Sequence, residues 1–61
     1  MRFYSNGRLI SAAAAYAVFV TESPARYEGA SEDLAVIWGE CLISAESRDC
    51  YLPSGLEIVQ G

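Results

Sequence analysis

Sixty-one residues, 52% of them apolar, make one small domain (1–61), because so apolar a chain does not stay disordered and so short a one has a single core. Four Arg, eight carboxylates, no Lys and no His give a net charge of −4. That composition excludes imidazole-based nucleophilic catalysis and a Schiff-base or P-loop lysine, and it argues against direct nucleic-acid binding, which needs a basic face.

The charge is unevenly spread. Residues 1–21 carry Arg2 and Arg8 alone, hence +2; residues 22–61 carry all eight acids against Arg26 and Arg48, hence −6. An acidic half of this kind keeps a small protein in solution or faces a basic partner.

In chain order, residues 1–11 read as a β-hairpin. Asn6-Gly7 is the preferred pair for a type I′ turn, where both residues need positive φ, and Arg2-Phe3-Tyr4 and Arg8-Leu9-Ile10 flank it. Residues 11–22 read as a helix on the strength of Ala12 to Ala15, with Leu9, Ala13, Tyr16 and Val20 on one face and Ala12 and Phe19 beside them. The competing reading is a strand over residues 16–21, where aromatic and β-branched residues collect. Pro24 ends this element; Ser23, Pro24 and Gly29 fit the cap, first position and stop of one helical turn, or a plain loop.

The strongest periodic signal lies over residues 31–48. Ser31 is an N-cap candidate, Glu32 and Asp33 suit the positive end of a helix dipole, and Arg48 suits its negative end. Leu34, Ile37, Trp38, Cys41, Leu42 and Ala45 recur at helical spacing as a core-facing stripe. Val36 and Ile43, one heptad apart, fall on the opposite side with Gly39 near them. They form a candidate dimer face or partner seam, weighed against a helix covered on both sides by its own chain and against two solvent-exposed apolar residues of no consequence. Beyond the helix, Cys50-Tyr51-Leu52 is strand-like, Pro53-Ser54-Gly55 has turn chemistry, and Leu56 to Val59 alternates as a closing strand.

The expected fold class is therefore α+β: an N-terminal β-hairpin, two packed helices at about 11–22 and 31–48, and a C-terminal strand completing a short antiparallel sheet.

No constellation of residues suggests chemistry, so the chain is expected not to be an enzyme and to hold no cofactor and no metal. Cys41 and Cys50 are too few for a zinc site, and helical positions nine apart lie about 13 Å from one another, so a disulfide would need the chain to fold straight back. Both are expected as free thiols of a cytoplasmic protein. The apolar run over residues 9–20 is too short to span a bilayer and lacks a small-x-small cleavage site, so no membrane segment is expected.

What remains is binding. Glu28, Glu32, Asp33, Glu40, Glu46 and Asp49, with Tyr27 between Arg26 and Glu28, form the candidate partner-binding set. The expected partner is a basic surface of a larger protein, a nucleic-acid-binding surface being the natural class. Small inhibitors of bacteriophage or mobile-element origin, anti-CRISPR proteins and DNA mimics among them, work this way; the analogy rests on size and charge alone. The alternative is a structural or assembly module acting as a homodimer through Val36, Gly39 and Ile43.

Overall fold

The computed structural model describes residues 1–27 and 34–61, with the side chains of Arg26 and Tyr27 outside the description. Strands β1 (Arg2–Ser5) and β2 (Arg8–Ile10) form the hairpin, and Asn6 and Gly7 turn it with φ of 52° and 83°. Both signs are positive, as a type I′ turn requires. Helix α1 (Ala12–Glu22) follows at once, its N-cap Ser11 accepting a hydrogen bond from the Ala14 N–H at 3.1 Å. A 3₁₀ turn (Pro24–Tyr27), helices α2 (Leu34–Ile43) and α3 (Ala45–Tyr51), and strand β3 (Leu56–Val59) complete the order.

The sheet is antiparallel with order β2-β1-β3. Phe3 lies opposite Ile10 on one side and Ile58 on the other, so one sheet face carries Phe3, Ile10 and Ile58 into the core. Against it pack Ala15 and Phe19 of α1 and Cys41 of α2, all fully buried. The half-buried indole of Trp38 closes the core: its ring lies 5.1 Å from that of Phe19 and 5.9 Å from those of Phe3 and Tyr16. Four aromatic rings in contact contribute about 0.5–1.5 kcal/mol per pair beyond simple burial, which matters in so small a core.

The α+β architecture is the expected one, with two differences. Helix 31–48 is not continuous. Ser44 adopts extended φ/ψ (−130°, 122°), ends α2 and caps α3 through its hydroxyl, which accepts from the Ser47 N–H at 3.4 Å. The break redirects the chain so that Tyr51 and Leu52 reach the core, while Ala45, expected on the buried stripe, is exposed. Cys50 and Tyr51 are accordingly helical rather than strand-like. The second difference is the phase of α1: Ala15 and Phe19, four apart, are fully buried, Tyr16 and Val20 of the expected face pack half-buried beside them, and Ala12, Ala13 and the strand residue Leu9 are exposed. Ser31, Glu32 and Asp33, the expected start of the second helix, lie outside the described residues, as do Glu28 and Gly29.

The break at Ser44 leaves the last carbonyls of α2 without intrahelical partners. Two distant side chains supply them. The Arg48 guanidinium donates to the Cys41 carbonyl at 3.0 Å, and the Gln60 side-chain amide donates to the Leu42 carbonyl at 2.6 Å. The Cys41 thiol donates to the Ser47 carbonyl at 3.6 Å. On the other side of α3, the buried Ser23 hydroxyl donates to the Tyr51 carbonyl at 2.6 Å and accepts from the Ala25 N–H at 3.1 Å. The helical corner formed by α2 and α3 is thus tied at both ends to parts of the chain remote in sequence.

Candidate functional site

The α2–α3 corner carries most of the described candidate residues. Leu34, Ile37, Trp38, Cys41 and Leu42 commit one side of α2 to the core. Residues one and two steps round the helix therefore look outward. These are Ala35, Val36, Gly39, Glu40 and Ile43, all exposed. Val36 is 63% exposed and Ile43 83%. Gly39 lies between them, and a side-chain carbon added there would touch nothing within 4 Å. Gly39 is thus an open stretch of helix, and no other described part of the chain crosses it closely.

Glu40 stands on this same face, a turn from both Val36 and Ile43. Glu46 lies in the first turn of α3 and Asp49 further along it; both are exposed. Glu46 therefore also answers the positive end of the α3 dipole. Among the described residues, none of these three carboxylates forms an ion pair, and the Arg48 guanidinium beside them is turned to the Cys41 carbonyl. Glu28, Glu32 and Asp33 lie outside the described residues, and so does the side chain of Tyr27. The structure thus places Glu40 on the exposed face of α2 with Val36, Gly39 and Ile43, and Glu46 and Asp49 exposed on the adjoining helix α3. The sequence treated these as two separate sets.

Residues to which the sequence gave another role or none hold this corner in place: Arg48 and Gln60 by capping α2, Ser44 by capping α3, and Ser23, also the cap of the 3₁₀ turn, by fixing the end of α3. Ser44 carried the one available signal, a good N-cap residue followed by an acid in the next turn. It lost to the longer apolar period.

Cys41 and Cys50 are both free, the first buried and the second exposed. Burial pushes the Cys41 thiol above its ordinary pKa, opposed by the nearby Arg48 charge. Burial and the net upward shift suit a packed, neutral thiol better than a nucleophile. Among the described residues there is no cavity, no cluster of three His, Cys, Asp or Glu side chains, and no helix long and apolar enough to cross a membrane. The chemistry open to this surface is that of a docking face: an apolar ridge with the Glu40 carboxylate on it, followed by an exposed acidic helix. Comparison of the chain with family models, with curated proteins and with solved structures found no match.

Proposed function

We propose that the chain is a small acidic protein-binding modulator whose α2–α3 corner occludes a basic surface of a larger protein. The observation that carries this reading is the exposure of Val36 and Ile43 on the same helix face as Glu40, with Glu46 and Asp49 exposed on the following helix α3. Apolar contact supplies affinity where water is expelled, and the surrounding carboxylates select a partner of opposite sign and speed the encounter. A basic surface that normally meets phosphates suits both features. The proposed mode is that of bacteriophage anti-CRISPR proteins and other DNA mimics: steric and electrostatic occlusion without chemistry.

Charge favours a foreign basic partner over a symmetric homodimer through the same ridge. A two-fold pairing about Gly39 sets Glu40 close to its own copy and brings two halves of charge −6 together. The two free thiols suit a reducing, cytoplasmic setting.

The test is capture from nuclease-treated lysate of the source cells, with the wild-type chain and a Glu40→Gln/Glu46→Gln/Asp49→Asn variant as baits, at two salt concentrations roughly tenfold apart. The expected result is a basic protein retained by the wild type at low salt and lost both at high salt and with the variant. Retention indifferent to salt and to the three substitutions refutes the proposal.

A further inference from the structure

The described helices cover one side of the sheet. Phe3, Leu56 and Ile58 meet Ala15, Phe19 and Cys41 in the core, and Ile10 packs beside them. Alternate residues along each strand point the other way. These are Arg2 and Tyr4 of β1, Leu9 of β2, and Glu57 and Val59 of β3. Arg8 lies opposite Ser5 and belongs to the core side, at the turn end of the hairpin. On the outer face Leu9 is 66% exposed, and Tyr4 and Val59 are half-buried without joining the core cluster.

The strand register fixes how these five residues are laid out. Leu9, Tyr4 and Glu57 form one row across the three strands, and Arg2 and Val59 form the next row. Leu9, Tyr4 and Val59 therefore lie close to one line, which passes between Arg2 and Glu57 and leaves one charge on each side. Among the described residues neither Arg2 nor Glu57 forms an ion pair. The face is neutral, in a chain whose net charge is −4. Two copies that meet here avoid the like-charge repulsion that their acidic parts impose elsewhere.

We propose that two copies pair back to back through the outer face of the sheet. A two-fold axis along the Leu9–Tyr4–Val59 line sets each of these residues near its own copy, and sets each Arg2 guanidinium over the Glu57 carboxylate of the other chain. The strands of the two sheets then cross steeply, nearer the orthogonal way of packing sheets than the aligned one. The arrangement closes at two copies. Three strands of up to four residues offer a face only about 14 Å across, well short of the roughly 800 Å² per partner of a standard interface, so the dimer is a weak one. The pairing goes beyond the proposed function and is independent of it. Helix α2 lies on the core side of the sheet, with Trp38 against Phe3, so Val36, Glu40 and Ile43 of both copies stay uncovered. The dimer offers two such ridges to a partner, and thus avidity.

Sedimentation velocity from about 10 μM to about 1 mM covers a pairing of this strength. The wild type is expected to rise with concentration from monomer towards dimer, with no larger species. Arg2→Glu and Glu57→Arg each put a single sign on both meeting faces, and each is expected to weaken pairing by about tenfold or more. Glu57→Arg does so even though it lowers the net charge. The exchanged Arg2→Glu/Glu57→Arg chain keeps the net charge and restores complementarity, so it is expected to pair as the wild type does, as is an equimolar mixture of the two single variants. Leu9→Ser is expected to weaken pairing and Ile43→Ser to leave it unchanged; circular dichroism verifies that every variant is folded. A wild type monomeric over the whole range overturns the inference. So do single charge variants that pair as the wild type does, an exchanged chain that stays monomeric, or pairing lost with Ile43→Ser and kept with Leu9→Ser. Salt-dependent capture of a basic protein by a chain that never pairs removes this inference and leaves the proposed function intact. Pairing as predicted, with capture indifferent to salt, supports the inference and removes the partner reading.

Discussion

Replacing Ser23 by alanine removes one oxygen atom and is expected to loosen the whole helical corner. The Ser23 hydroxyl is fully buried, donates to the Tyr51 carbonyl at 2.6 Å and accepts from the Ala25 N–H at 3.1 Å. Alanine leaves a carbonyl at the end of α3 and an N–H at the start of the 3₁₀ turn without partners. Stranding a buried polar group costs about 1–3 kcal/mol, and losing a serine cap about 1 kcal/mol. Allowing for overlap, the loss is about 2–3 kcal/mol. A 61-residue domain has about 3–9 kcal/mol of stability in all, so this is a large share. It corresponds to a fall in Tm of roughly 10–20 °C for a domain of this size. Thermal and urea unfolding followed by circular dichroism measures it, with the exposed Ser54→Ala as the control, expected to lie within about 0.5 kcal/mol of the wild type. A Ser23→Ala variant that unfolds within about 4 °C of the wild type refutes the idea that this hydroxyl ties α1 to α3.

Two glycines are expected to respond with opposite sign to alanine. Gly39→Ala, in an open helical position, should raise stability by about 1 kcal/mol. Gly55→Ala should lower it by more than that, because Gly55 has φ of +89° and the new methyl runs into the Asn6 side chain; urea midpoints give both values. Arg48→Met keeps the aliphatic stem but strands the Cys41 carbonyl, and should cost about 1–3 kcal/mol and speed amide exchange at the end of α2. For Cys41, whose pKa is raised by burial, the neutral thiol is favoured by folding. Its contribution is complete below the ordinary thiol pKa and is lost as pH rises through the folded value. Stability against pH should therefore fall on the alkaline side, and Cys41→Ala should flatten that limb. Under native conditions a thiol reagent should modify Cys50 alone.

Local chemistry explains which elements were readable. Asn6-Gly7 has one comfortable use, the I′ turn, and the hairpin register follows from it. Residues 11–22 were divided between an alanine run and a β-branched run. The helix wins because Ser11 caps it and because the Thr21 hydroxyl satisfies itself on the Ala17 and Val18 carbonyls within the last turns. Its phase was illegible for the same reason that its identity was strong: four consecutive alanines mark no face, and the packing of Phe19 against Trp38 settles which one is inward. Ser44 is the instructive miss. A serine off the apolar stripe reads as a harmless surface residue of a long helix, and its capping role appears only once Arg48 and Gln60 arrive from elsewhere to satisfy α2. At the candidate site, the outward position of Val36 and Ile43 was legible because they break a well-marked period. The placing of Glu46 and Asp49 on a separate helix was not, because it depends on the break.

The most direct test of the docking account is a titration of the isotope-labelled chain with the basic partner recovered by capture, read residue by residue from amide NMR shifts. The account predicts that perturbations concentrate on Val36, Gly39, Glu40, Ile43, Glu46 and Asp49 and fade as salt rises. Perturbations confined to the sheet or to α1, with the α2–α3 corner unchanged, contradict it.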